Sequence, residues 1–135
     1  MYRIISALAI CFFIFILWII YLANTGGSSV FFEFVASFPY GDKVGHAGLF
    51  GFLTLVAIIG LRFSRFTLGK LPIYYGGILV SLFVIGEELS QAFIPSRTFD
   101  FMDLAADFVG IVVAIGVAHF MRQHLVKNEK ICSTK

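Results

Sequence analysis

Ile4 to Ala23 is a run of about twenty residues without a single charge, and no feature constrains this chain more. A hydrocarbon layer about 30 Å thick needs roughly 17–25 apolar residues in a helix, so such a segment reads as a membrane span. It is longer than the core of a secretory leader, and no clear small-x-small cleavage site follows, so it is expected to be retained. Three further runs repeat the theme: Val44 to Leu61; Leu71-Pro72 to Pro95; and about Leu104 to Met121. Of the 135 residues, 59% are hydrophobic and 13% charged, which excludes a water-soluble core of ordinary composition. The expected fold is all-α, a four-transmembrane-helix antiparallel bundle. Residues 1–126 form the membrane domain, and 127–135 form a polar, frayed cytoplasmic tail.

Between the first two runs, Phe31, Phe32, Phe34, Val35 and Phe38 fall at helical spacing with Glu33 and Ser37 opposite. A short amphipathic helix in the headgroup layer accounts for this pattern. A loop packing its aromatics on the bundle fits equally well. Trp18, Tyr21, Tyr74 and Tyr75 read as interface anchors, and His119 as an interfacial residue at the other boundary. Cys11 and Cys132 are too few for a disulfide framework, and the end of the chain carries no prenylation signal. No basic stripe of the kind that nucleic acid requires is present.

Basic residues next to the spans set the expected orientation, because short cytoplasmic loops are enriched in Lys and Arg. If the spans alternate, one side holds Arg3, Arg62, Arg65, Lys70, Arg122, Lys127, Lys130 and Lys135, and the other only Lys43 and Arg97. Both termini are therefore expected in the cytoplasm and the protein in the inner (cytoplasmic) membrane.

The same alternation gathers the remaining polar residues at the outer face. Asp42, Lys43 and His46 open the second span; Glu87, Glu88 and Gln91 approach the end of the third; Arg97 lies in the third loop; and Asp100, Asp103 and Asp107 lead into the fourth. At 100° per residue Glu87, Glu88 and Gln91 share one arc, which Ser81 and Gly77 extend, and Asp100, Asp103 and Asp107 share another. Asp42 and His46 stand as an i, i+4 pair. Glu87 reads as a residue that snorkels outward. A buried carboxylate costs on the order of 2.5–3.5 kcal/mol on insertion scales, so Glu88 must pair, protonate or meet water. Interhelical hydrogen bonding alone competes with a binding pocket as the reason for these residues. The pocket candidates are Asp42, Lys43, His46, Glu88, Gln91, Arg97, Asp103 and Asp107.

These residues resemble those of the VanZ-like family of small membrane proteins. The resemblance lies in Asp42-Lys43-x-x-His46, Glu88-x-x-Gln91, Pro95-x-Arg97-x-Phe99-x-x-x-Asp103 and Gly110, over about residues 42 to 110. One departure is Asp107, where the family usually has Asn, which can donate hydrogen bonds as well as accept them. The resemblance implies a multi-span protein of the cell envelope, associated with glycopeptide (teicoplanin-like) tolerance, and supplies no reaction.

Three functions follow as expectations. In the first, the pocket binds an anionic headgroup, a lipid-linked wall precursor or a glycopeptide through Arg97 and Lys43, with membrane lipid as partner and no cofactor. In the second, the chain is a membrane enzyme acting on a lipid-linked substrate through a carboxylate and His site, with Glu88, Asp103, Asp107 and His46 able to bridge a hard divalent metal. In the third, Glu88 serves a proton-linked transporter.

Overall fold

The computed structural model describes residues 2–27, 30–94 and 100–133. Its elements are α1 (Tyr2–Asn24), α2 (Val30–Ala36), α3 (Gly41–Gly60), β1 (Arg65–Leu68), β2 (Leu71–Tyr74), α4 (Tyr75–Gln91) and α5 (Phe101–Ser133). Among the described residues three helices are long and apolar enough to cross a membrane: α1, α3 and the Phe101–Lys127 stretch of α5. Helices suit these sequences because a helix satisfies its backbone polar groups internally, which lipid cannot do for it. Side chains such as Ile4, Ile14, Leu79, Leu82, Val109 and Val112 face outward, as a lipid-facing surface requires.

α3 is the central element, packed against α1, α4 and α5. Its closest partner is α5, and the two run parallel: Lys43 meets Asp103 near their starts, and Ile58 meets Ala118 further along. Small residues permit this approach. A Cβ on Gly110 would strike the carbonyl of Ala47, and one on Gly51 would lie 3.0 Å from the Gly110 oxygen. Without a hydrophobic drive between helices in lipid, such backbone contact supplies the dispersion energy that holds spans together. α1 runs antiparallel to α3, with Ser6 Oγ donating to the Gly60 carbonyl at 3.0 Å. Phe12 and Phe13 of α1 meet Phe52 of α3 and Phe83 of α4 edge to face. The main core joins Ile16, Phe50, Leu53, Val56, Val80, Val84 and Ile111.

Several expectations need correction. The third apolar run does not begin as helix: Leu71–Tyr74 pairs with Arg65–Leu68 in an antiparallel hairpin, with Leu68 opposite Leu71 across a two-residue turn. Gly69, at φ +62°, provides the positive φ that such a turn requires. Pro72 also biases Leu71 toward extended backbone, so α4 starts only at Tyr75. Tyr74 is not an interface anchor; it is 1% exposed and packs with Ile58, Phe63 and Ala118. Its hydroxyl lies 3.1 Å from Nδ1 of His119, so this histidine partners a buried tyrosine. Nor is the tail frayed through 127–133, because α5 continues to Ser133. At 1.5 Å per residue a helix of 33 residues is roughly 50 Å long and outruns a bilayer core of about 30 Å. The aromatic stretch after α1 forms a seven-residue helix, α2, with Phe34 exposed.

Candidate functional site

The site begins where α2 turns into α3. Gly41 lies so close to the Val35 carbonyl that no Cβ would fit, which fixes the corner and the direction in which α3 departs. Asp42 and Lys43 occupy the first turn, and His46 follows on the second. The Lys43 ammonium donates to Asp42 Oδ2 at 3.1 Å, Asp100 Oδ2 at 3.1 Å and Asp103 Oδ1 at 2.7 Å. A lysine has three donors, so all are engaged. Asp100 immediately precedes α5, and its Oδ1 accepts the Met102 N–H at 2.8 Å, the contact of an N-cap. That N–H, with Lys43 beside it, holds the Asp100 carboxyl below its ordinary value.

One turn deeper lies a second layer. The backbone contact between Ala47 and Gly110 brings the preceding turns of α3 and α5 together, and His46 Nδ1 lies 3.1 Å from Oδ1 of the fully buried Asp107. A carboxylate can only accept, so Nδ1–H donates and Asp107 orients the ring. His46 Nε2 stands 4.0 Å from Asp103 Oδ2, which links the two layers. Glu88 enters from the last turn of α4, three residues before its end at Gln91. Ligand atoms of His46, Glu88 and Asp107 all lie within 4.8 Å of one another. Glu88 is 1% exposed, and among the described residues neither of its carboxylate oxygens has a hydrogen-bond partner.

Asp42, Lys43, His46, Glu88, Asp103 and Asp107 therefore converge at one end of α3, α4 and α5. Gln91 does not join them by hydrogen bond; it is buried and donates through Nε2 to Glu87 Oε1 at 2.8 Å. Glu87 is itself buried and does not snorkel outward. His46 pairs with Asp107 rather than with Asp42. Arg97 lies outside the described residues. Asp100 sits in the acidic run of the sequence, yet its double duty as helix cap and Lys43 partner needed the fold to emerge. Among the described residues the cluster is strongly acidic: Asp42, Glu87, Glu88, Asp100, Asp103 and Asp107 meet one ammonium and one imidazole.

No family model matches the chain, and no solved structure does. A curated relative, an uncharacterized protein of Schizosaccharomyces pombe (strain 972), is 36% identical over 77 residues, or 57% of this chain and 46% of that protein. The chain thus spans less than half the length of the relative it matches.

Proposed function

We propose that the chain is a four-span protein of the VanZ-like type in the inner cell membrane, with both termini cytoplasmic. We further propose that it binds the anionic head of an envelope lipid, or of a lipid-linked wall precursor, at the cluster on the outer face. Glu88 carries the case for a binding site over mere helix glue. Glue works by making hydrogen bonds, and a buried carboxylate with both oxygens unpartnered makes none within the described bundle.

Support for the fourth span comes from α4, whose 17 residues, about 25 Å, are at the short end of the spanning range. Its start packs on α3 near Ile58 through Gly76, and its end brings Glu88 to His46, so it runs the length of α3. The basic residues support the orientation: Arg62 stacks on Tyr2 and Arg65 on Tyr74, both at the end opposite the acidic cluster. A reporter fused at each terminus, read as cytoplasmic at both, is the expected result; opposite sides would leave α4 unthreaded.

Lys43 weakens as an anion ligand, since three carboxylates already engage it, so Arg97 carries the direct charge in this reading. The test is glycopeptide tolerance, with binding to nanodiscs containing a phosphate-headed lipid, for the wild type, Arg97→Lys and Glu88→Gln. Loss of both readouts in either variant, at unchanged expression, is expected. Wild-type tolerance and binding in both variants would overturn the reading. The enzymatic alternative draws on the His46–Asp107 pair, which could move a proton, and turnover of a lipid-linked phosphate by purified protein would favour it.

A further inference from the structure

We infer that His46, Glu88 and Asp107 form a binding site for one divalent cation of the oxygen-favouring class, Mn2+ or Mg2+. The site stands on its own geometry; only its service to a headgroup rests on the binding function proposed above.

Three ligand atoms on three helices lie within 4.8 Å of one another. A cation held at about 2.0–2.3 Å from each oxygen or nitrogen places its ligands roughly 3 to 4.5 Å apart, so side-chain shifts of a few tenths of an ångström close the shell. Two carboxylates and one imidazole form a mainly hard donor set, which suits Mn2+ and Mg2+ above the thiolate-seeking metals. Charge gives the second argument. Glu88 and Asp107 are 1% and 0% exposed, and two unneutralised carboxylates in a low-dielectric bundle are costly. A dication balances both at once, whereas the nearest ammonium, on Lys43, is spent on Asp42, Asp100 and Asp103.

The third argument is the Glu88 carboxylate itself. It reaches within 4.8 Å of ligand atoms of His46 and Asp107 with neither oxygen hydrogen-bonded among the described residues, which leaves its lone pairs available to an ion there. Asp107 already orients the imidazole at 3.1 Å, so the ion inserts at a preformed edge. Binding displaces whatever proton His46 and the two carboxylates share, and that proton leaves to solvent. Three protein ligands leave about three positions of an octahedral ion for water or for phosphate oxygens. The ion thereby adds positive charge to a cluster in which, among the described residues, six carboxylates meet one ammonium and one imidazole.

The experiment titrates Mn2+ into the purified full chain in nanodiscs, reading free Mn2+ by electron paramagnetic resonance, with and without phosphatidic acid. One Mn2+ per chain is expected, weakened at least tenfold in Glu88→Gln and in Asp107→Asn and unchanged in Glu33→Gln, whose carboxylate is exposed on α2. Mn2+ should raise the melting temperature of the wild type and leave that of Glu88→Gln where it was. Wild-type Mn2+ affinity in both site variants, or tight Zn2+ binding without Mn2+ binding, would overturn the inference. Mn2+ bound normally with no preference for phosphatidic acid sinks the headgroup reading and keeps the metal site. Phosphatidic acid bound equally with and without Mn2+, in a chain that takes up no Mn2+, does the reverse.

Discussion

Both ends of this helical bundle hold a half-buried histidine, and they treat it in opposite ways. At the hairpin end, His119 Nε2 accepts from the Gln123 amide at 2.9 Å, so Nδ1 carries the ring proton and donates to the Tyr74 hydroxyl oxygen at 3.1 Å, and both ring nitrogens have neutral partners. Ser6 meets the Gly60 carbonyl close by. At the acidic end, His46 faces Asp107 and Asp103, and Glu88 lies beside it with both oxygens unmatched. The first arrangement is what structural placement of polar groups looks like: both ring nitrogens are partnered and no net charge is confined. The second confines charge and leaves it incompletely answered, a combination that costs stability and persists only where something else balances it.

The largest effect should come from the contact that builds the acidic end. Gly110→Ala puts a methyl group on the Ala47 carbonyl, so α3 and α5 must separate. Overpacking of this kind costs typically 1–3 kcal/mol, and a rigid backbone neighbour puts this site at about 3 kcal/mol. Melting in detergent should fall steeply, with the His46–Asp107 pair lost and cation uptake lost with it. A fully stable Gly110→Ala protein would show that the helices are not in backbone contact.

Tyr74→Phe probes the hairpin end. Removing the hydroxyl strips His119 of one partner and should cost about 1 kcal/mol, with binding at the acidic end unchanged. If headgroup or cation binding fell with it, the two ends would be coupled and the contrast between them would fail. Lys43→Met should lower the melting temperature less, and chiefly at low ionic strength. It leaves Asp42, Asp100 and Asp103 without the ammonium they share, but these groups are partly solvated and salt screens them. A salt-independent loss would mean that Lys43 contributes packing rather than charge.

Much of this arrangement was legible beforehand, for physical reasons that differ by region. The spans follow from length and hydropathy, because lipid imposes a minimum number of apolar residues. The convergence of His46, Glu88, Asp103 and Asp107 follows from alternation of the spans, which puts all four at one face. The hairpin was hidden because Leu71, Ile73 and Tyr74 are as apolar as a helix end, although Gly69-Lys70 between them and Phe66-Thr67-Leu68 is a turn signal. The pairing of Gln91 with Glu87 was hidden for another reason: residues on one helix share an arc at i, i+4, and the sequence does not say whether they turn to each other or to a neighbouring helix. That Lys43 would be consumed by three aspartates depended on the angle between α3 and the start of α5, which Gly110 sets and no periodicity reveals.

The most direct measurement is the melting temperature of Glu88→Gln in detergent, taken beside its binding of a phosphate-headed lipid. Because the carboxylate makes no hydrogen bond within the described bundle, its neutral isostere should melt at the wild-type temperature or above it, with binding lost. A variant that melts several degrees lower while binding as the wild type does would make Glu88 a structural tie and contradict the account.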